Sequence, residues 1–523
     1  MFLLKAEFIK EQLEVLNAWQ VVTLFIGVYS ILRCLISFFE PKKRVPDAPI
    51  VGYRSILEPT LLLQARFATS GYKLIRDGYR KFKNIPFVVR RFDCDITILP
   101  MKYLVEVANI PETKCSGKQV HFNNLVPRWT NIEFMKGGDL HFRVVGNKLN
   151  RELYKFVDIA RDEFNEAYKQ MVPDCDDWTA VDVQDFCRMI VSRISARIFL
   201  GSQACHNQEW LKLSYGYSID LFMTAFMLRM FPPWSQGIVA PFLPQYHRMK
   251  RHIRTASGII KPLMEQHAES EKRRSLGRKV QEEDTLLHWM LDNATENEGS
   301  VQHMSTMICM LALASIHTTS MSVANMLFSI CEHPEYAPML VDEIEEVHRE
   351  LGEFKEGVDA RMWLSKLEKL DSYFIECLRV NPVVLLMPQR QAVVPLTLKD
   401  GTHIPAGSRV SFANYQHQND PSVTPDPQLF DPLRCFRKRH STAEPRNKFQ
   451  AVQLDPDINP FGYGSQACPG RYFAVAEIKF IMARLLRDYE FKFSGTQGKP
   501  KVIHADENIM NDPAARMMMR KRR

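Results

Sequence analysis

The sequence predicts a mainly α fold with small β-sheets, an α+β chain preceded by one transmembrane helix. Three observations carry this expectation. Helical amphipathicity dominates from about residue 53 to 385, period-two alternation is confined to two short regions, and a long apolar run lies near the N-terminus. With 523 residues, 46% hydrophobic and 24% charged, the composition is that of a globular protein with a large core. The expected boundaries are a short lumenal N-terminus at 1–18, an anchor at 19–39, a proline-containing hinge at 40–52 and one folded body at 53–523.

The anchor is the run "WQVVTLFIGVYSILRCLISFF", Trp19 to Phe39. It is long enough to cross a bilayer, carries aromatic residues at its ends and is interrupted only by Arg33, close enough to the C-terminal end to snorkel toward headgroups. Lys42, Lys43 and Arg44 follow it, so the positive-inside rule puts the bulk of the chain in the cytosol as a single-pass protein. No small-residue cleavage site follows, which weighs against a removed signal peptide. A monotopic interfacial helix is the other alternative. The next stretch, "EPKKRVPDAPIVG", is broken by prolines and reads as a spacer.

Within the body, "RELYKFVDIARDEFNEAYKQM" and "YAPMLVDEIEEVHREL" alternate apolar and charged residues at helical spacing. Strands are expected in "FVVRRFDCDITILP" and in "AVVPLTLKDGTHIPAGSRVSF", the latter with an Asp-Gly turn. Residues 417–460 form a long, proline-rich, irregular stretch of the kind that is usually functional or packed on a cofactor. The C-terminal "RMMMRKRR" reads as a frayed tail, with contact to anionic lipid or a partner as the alternative.

Several function classes are excluded. The net charge of +8 is spread over scattered runs with no aromatic-interleaved basic stripe, so nucleic acid is not a partner. Eleven cysteines, an odd number without a CxxC pair, fit neither a disulfide framework nor a zinc site and place the body in a reducing compartment. The absence of HExxH, of GxGxxG opening a helix and of GxxxxGK[ST] sets aside metalloprotease, dinucleotide-fold and nucleotide-hydrolase chemistry.

The segment "NPFGYGSQACPGRYFA", 459–474, surrounds Cys468 with Gly462, Gly464 and Gly470 and is followed by an apolar helical stripe through Phe473, Ala476 and Phe480. Pro469 suits the first position of a helix, so Cys468 is expected at a helix N-terminus, where the dipole and free N–H groups favour a thiolate. A nucleophile, a disulfide partner, a metal ligand and a buried thiol all remain open at this point. Three elements precede it in fixed order. "LALASIHTTSMSV" sets Thr318 and Thr319 in an apolar helix, where their hydroxyls can open the backbone locally; taken by itself the segment reads as a core helix with back-bonded threonines. "YFIECLRVNP" places Glu376 and Arg379 at i,i+3, and "FDPLRCF" offers Arg434 as a second guanidinium for Glu376.

Taken together, an FxxGxxxCxG loop preceded by ExxR, a phenylalanine-proline-arginine segment and a small-residue helix with Thr-Thr resembles the cytochrome P-450 superfamily of haem-thiolate monooxygenases. "HTTS", "WLKLSYGY" and "FGYGSQACPGRYFA" are most similar to the fungal branch that oxidises terpenoids. The resemblance implies the cytochrome P-450 fold over 53–523, haem b as cofactor and Cys468 as its axial thiolate ligand. Gly464 and Gly470 would let the loop pass the haem face and Phe461 would shield the thiolate. Arg390 in "MPQRQA" and His141 would contact the haem propionates, and Glu376, Arg379 and Arg434 would form a structural triad. Thr318 matches the threonine that steadies dioxygen and relays protons, with His317 standing where the family usually has an acid. Two further departures are Gln466, where a basic propionate contact is usual, and Gly146, where related fungal sequences often carry a basic residue, so anchoring must rest on Arg390 with His141 or Arg143.

The implied reaction inserts one oxygen atom of O2 into a lipophilic substrate, a diterpene, indole-diterpene or meroterpenoid of fungal secondary metabolism. Electrons would come from NADPH-cytochrome P-450 reductase at the endoplasmic reticulum membrane, docking on basic residues such as Lys438, Arg439 or Arg471. Fatty-acid or sterol hydroxylation is the alternative substrate class. A reductase-independent haem-thiolate isomerase or dehydratase and a non-catalytic haem-binding protein are the alternative functions; Thr318 and Thr319 weigh against the isomerase.

Overall fold

A computed structural model of the chain describes residues 43–441, 448–495 and 498–523, together with Gly27. Apart from Gly27, the expected N-terminus and anchor, 1–39, and the start of the hinge lie outside the described residues.

Among the described residues, nine helices of 13 residues or more make the framework: α1 Thr60–Lys81, α2 Leu153–Met171, α3 Val183–Leu200, α4 Gln208–Arg229, α5 Pro244–Ser275, α6 Val301–Glu332, α7 Ala337–Leu351, α8 Glu368–Val380 and α9 Arg471–Asp488. The amphipathic quotations above are α2 and α7, each burying one stripe (Phe156, Ala160, Phe164 and Ala167 on α2; Leu340, Ile344 and Val347 on α7). The 32-residue α6 is apolar all round because it is wrapped by α3, α4, α5 and α9. By length and hydropathy α6 also suffices to span a membrane, yet it is the central core helix of the domain. Ser300 caps its N-terminus by accepting from His303 N at 3.2 Å.

Among the described residues, twelve strands form small sheets. β1 Phe87–Arg90, β2 Asp95–Ile98, β8 Arg409–Ser411, β5 Arg390–Ala392 and β3 Cys115–Ser116 make a five-stranded sheet in the order β1-β2-β8-β5-β3, with β2 and β8 parallel and the other pairs antiparallel. β6 Leu396–Thr397 and β7 His403–Ile404 pair around the expected Asp-Gly turn, where Gly401 takes φ +88. Apart from β3, these strands fall in or at the edge of the two regions in which alternation predicted them.

Two expectations change. Residues 43–52 are not a free spacer. After a turn at Pro46–Asp47, where Asp47 takes φ +58, this stretch docks on β1 and β2: Val51 N donates to Val88 O (3.0 Å), Val88 N to Pro49 O (2.9 Å), Arg44 pairs with Asp95 (3.1 Å) and Val45 is buried. The C-terminus is not frayed. β12 Met517–Lys521 is the central strand of a sheet ordered β4-β12-β9, with β4 Thr179–Val181 and β9 Tyr489–Lys492, and Met517 and Met519 are fully buried. A further hairpin, β10 Val502–Ala505 with β11 Asn508–Asn511, packs on α1.

Candidate active site

The loop entering α9 is shaped by glycine. Gly462 and Gly464 hold φ of +79 and +80, the left-handed region that side chains resist. A Cβ on Gly464 would lie 2.7 Å from the Ala108 Cβ and 2.8 Å from its carbonyl oxygen, so glycine alone lets the loop rest on the short helix Leu104–Ala108. Gly462 N donates to Asn459 O (3.0 Å), Ala467 N to Gly464 O (3.1 Å) and Cys468 N to Phe461 O (2.8 Å), which closes the loop and sets Phe461 beside Cys468. Gly470 plays a different part. Its φ is −82, and a Cβ there would meet nothing within 4 Å, so the missing side chain leaves room rather than permitting strain.

The loop is tied down to three other segments. Asn150 Nδ2 donates to Pro469 O (2.9 Å), and Arg471 donates to Cys468 O (2.9 Å) and Val452 O (2.9 Å). Gln466 accepts from Gly117 N (2.6 Å) and donates to Cys115 O (2.9 Å), fastening the loop to β3. The residue at the usual propionate position is thus a clasp. Nothing in the local sequence marks Gln466 or Asn150 for these roles.

Cys468 is the exposed thiol among the ten described cysteines; the others are buried or half-buried. Its cleft is nevertheless close-walled, and burial pushes the thiol pKa up, opposed by the Gly470 N–H, the Arg471 charge and the Arg471 N–H. The helix-terminus donors expected to favour a thiolate are in place and pull in that direction, against the burial.

Arg390, on β5, is buried, and its donors reach only carbonyls: Nη1 to Gln389 O (2.9 Å) and Nη2 to Tyr463 O (3.3 Å), with Nε unpartnered. Burial lowers its pKa, as expected for a guanidinium without a carboxylate. His141 lies against Phe122 and Phe142 (ring centroids 5.9 and 4.3 Å), with Nε2 buried and unpartnered. Burial and then Lys118 push its pKa down to about 4. Arg143 pairs instead with Asp139 (2.7 Å) and Glu298 (3.9 Å). Gly146 falls in the one-turn π-helix Val144–Leu149. A haem offers an iron for a thiol, a flat apolar face and two carboxylates. An accessible Cys468, the room at Gly470 and an uncompensated Arg390 fit that group.

Glu376, Arg379 and Arg434 come together. Both Glu376 oxygens are bridged by Arg379 (Nε to Oε2, 2.9 Å; Nη2 to Oε1, 2.6 Å), and Oε1 also accepts from Asp431 N (2.9 Å) and Arg434 Nε (3.4 Å). The two guanidiniums then spend their remaining donors on the irregular stretch: Arg379 on Asn419 Oδ1, Pro427 O and Leu429 O, Arg434 on Pro425 O, Asp426 O and Leu429 O. This cluster supplies the backbone of 419–434 with partners that no helix or sheet provides.

On α6, Thr318 and Ala314 are exposed within an otherwise buried helix, and Thr318 Oγ1 donates to Ala314 O at 2.8 Å. Ser320 and Ser322 bond back in the same way, to Ile316 O and Thr318 O. The helix runs unbroken from Val301 to Glu332, so these hydroxyls share carbonyls with the backbone ladder instead of opening it. His317, one residue and about 100° round the helix, packs on Tyr215 of α4 at 5.1 Å between centroids, and Arg188 of α3 covers that tyrosine at 4.1 Å. Its Nε2 is buried without a partner, and burial followed by Arg188 pushes its pKa down to about 4, so the ring is neutral.

Of the basic residues expected to meet a reductase, Arg439 is buried and pairs with Glu368 (3.3 Å). Arg471 braces the loop, as above, and Lys438 lies over the Phe449 ring at 5.7 Å. A separate group on α5 and its continuation, His267, Glu282 and His288, has the residue types of a metal site. The two rings stack 4.5 Å apart at 7°, so one ion cannot lie in both ring planes. His267 is instead clasped by Glu282 (3.1 Å) and Asp292 (2.9 Å).

The cytochrome P450 family model matches residues 113–518. The chain is 43% identical to "Cytochrome P450 monooxygenase ATR4" of Stachybotrys chlorohalonatus, over 91% of this chain and 90% of that protein. It is 40% identical to "Cytochrome P450 monooxygenase sdnB" of Sordaria araneosa (92% and 88%) and 34% identical to an ent-kaurene oxidase of Gibberella intermedia (91% and 88%). Among solved structures, retinoic-acid-bound cyanobacterial CYP120A1 superposes with a TM-score of 0.65 at 16% identity, covering 91% of this chain and all of that one.

Proposed function

The chain belongs to the cytochrome P450 monooxygenase family, and on that footing we propose that it hydroxylates a terpenoid, in a fungal secondary-metabolite pathway, at the endoplasmic reticulum membrane. The observation that carries the proposal is Cys468: an accessible thiol in a glycine loop, ringed by N–H donors, beside an uncompensated buried Arg390. Haem b, when bound, supplies the reductive activation of O2. Overall, RH, O2, two electrons and two protons give ROH and water, the electrons coming from NADPH-cytochrome P-450 reductase.

The chain's own residues do the rest. Cys468 sulfur would ligate the iron, with Phe461 beside it, while Gly464 and Gly470 would give the loop its approach. Arg390 and His141 would hold the haem carboxylates. Thr318 offers the exposed hydroxyl that passes a proton from its Oγ1, and its resting bond to Ala314 O holds that hydroxyl in place. His317 lies about 100° round α6 from Thr318, packed on Tyr215, and the burial that keeps its ring neutral also disfavours taking up a proton, so the proposed relay rests on Thr318. Glu376, Arg379 and Arg434 brace the structure without touching substrate.

Membrane location is supported by the 19–39 run and by an exposed apolar ridge after α4. Trp234, Ile238 and Phe242 project four residues apart, in a stretch with no Asp or Glu between Asp220 and Glu265 and with exposed Arg251 and Arg254. A terpenoid substrate is supported by the ent-kaurene oxidase relatives. The test is reconstitution with the reductase, NADPH and a panel of diterpene hydrocarbons, fatty acids and sterols, followed by product analysis. An oxygenated diterpene that falls by about tenfold or more in Thr318→Ala, while NADPH consumption continues, is the expected result. Turnover of fatty acids or sterols alone would overturn the substrate class, and a product formed without NADPH would overturn the monooxygenase.

A further inference from the structure

The short helix Gly117–Asn124 presents Gly117, His121 and Asn124 on one face, at i, i+4 and i+7. At one end of that face Arg390 presses in: a Cβ on Gly117 would lie 2.9 Å from Arg390 Nη1 and 3.0 Å from Gln466 Oε1. At the other end Asn124 Oδ1 accepts from Arg91 (2.8 Å) and Arg409 (2.7 Å). His121 therefore stands between two guanidiniums, Arg390 and Arg409, and its close-walled surroundings, then the Arg409 and Arg390 charges, push its pKa down to about 4.

The charges along this row are unequal. Arg91 is matched by Asp93 (2.6 Å) and Glu507 (3.0 Å), and Arg409 shares Glu507 (3.4 Å). Arg390 has only carbonyls. A buried guanidinium without a carboxylate is costly, and the cost vanishes when an anion arrives. His121 adds a second donor at that place: its ring is exposed, has no hydrogen-bond partner among the described residues, and sits one helical turn from the Arg390 contact. The opposite wall belongs to the Cys468 loop, through Tyr463 O on Arg390 and Gln466 on Gly117.

We propose that His121 and Arg390 together grip one haem propionate, with His121 as a positioning residue that fixes how the haem edge sits above the Cys468 loop. The proposal rests on the haem-thiolate reading and adds to it a residue that no motif marks. It is tested on the full-length, haem-loaded protein by comparing wild type with His121→Gln and His121→Phe. Three readouts apply: haem transfer to apomyoglobin, the propionate-bending bands in resonance Raman spectra, and the Soret band of the carbon-monoxide complex. The expected result is about tenfold faster haem transfer in His121→Phe, a smaller change in His121→Gln and a shifted propionate band, with an unmoved thiolate-type Soret band. Transfer rates and propionate bands equal to wild type in both variants would overturn the proposal. Where neither variant folds, wild type decides: His121 should resist carbethoxylation in the haem-loaded protein and react once haem is extracted, and equal reactivity in both states overturns it. A wild type that takes up no haem would instead overturn the haem-thiolate reading itself.

Discussion

Replacing Glu376 by glutamine keeps the shape of the side chain and removes its charge from between Arg379 and Arg434. Arg379 is 4% exposed and Glu376 3%, so their bidentate pair at 2.6 and 2.9 Å is shielded from solvent. Breaking a buried pair by neutralising one partner costs about 3–5 kcal/mol, because the other charge stays behind in a poorly solvated place. The Arg434 arm differs: its contact is longer, 3.4 Å, and its side chain is more open, so its ionic share is about 1 kcal/mol or less. Arg434→Ala should therefore cost less than Glu376→Gln, even though it also releases three backbone carbonyls near the surface. Urea unfolding followed by tryptophan fluorescence, with haem content measured on the same samples, reads both effects. Glu376→Gln should lower the unfolding midpoint and the haem retained, since the stretch 419–434 loses its tether. A Glu376→Gln change below about 0.5 kcal/mol, or a larger loss in Arg434→Ala, would refute the reasoning.

Three further outcomes follow from the geometry. Gly464→Ala puts a Cβ against the Ala108 backbone at φ +80 and should cost about 1–3 kcal/mol with reduced haem content, measured by the same unfolding assay. His317 titrates near 4 when folded against about 6.5 unfolded, so the unfolded chain binds the extra proton. Its contribution is present above pH 6.5 and is lost as pH falls toward 4, by up to about 3 kcal/mol, and His317→Phe should flatten the stability profile across that window. Met519→Ala should cost about 2–5 kcal/mol, because Met519 is fully buried in the central strand, whereas half-exposed Met518→Ala should stay within about 0.5 kcal/mol; equal, negligible effects would mean a frayed tail after all.

The parts legible in the sequence were those whose signal is local. Glu376 and Arg379 lie one helical turn apart, and the strands at 87–98 and 390–411 alternate and turn at Asp-Gly. The Gly-Cys-Pro loop states its own backbone needs at Gly462 and Gly464. The parts that were hidden depend on what a segment meets. β12 carries methionine on both faces, so no alternation separates buried Met517 and Met519 from Met518. Residues 43–52 read as a spacer until β1 is there to pair with them. The outlook of His317 depends on Tyr215, about a hundred residues away, and that of His121 on Arg390, far along the chain. Arg439 looked like surface charge within a run of three basic residues, but its helix turns it onto Glu368.

The most direct single measurement is the reduced carbon-monoxide difference spectrum of membranes containing the full chain, beside Cys468→Ser. Ligation by the Cys468 thiolate gives a strongly red-shifted Soret band in wild type that is absent from the variant while the protein level is unchanged. A band that survives in Cys468→Ser, or no such band in well-expressed wild type supplied with haem, would contradict the assignment of Cys468 as the iron ligand.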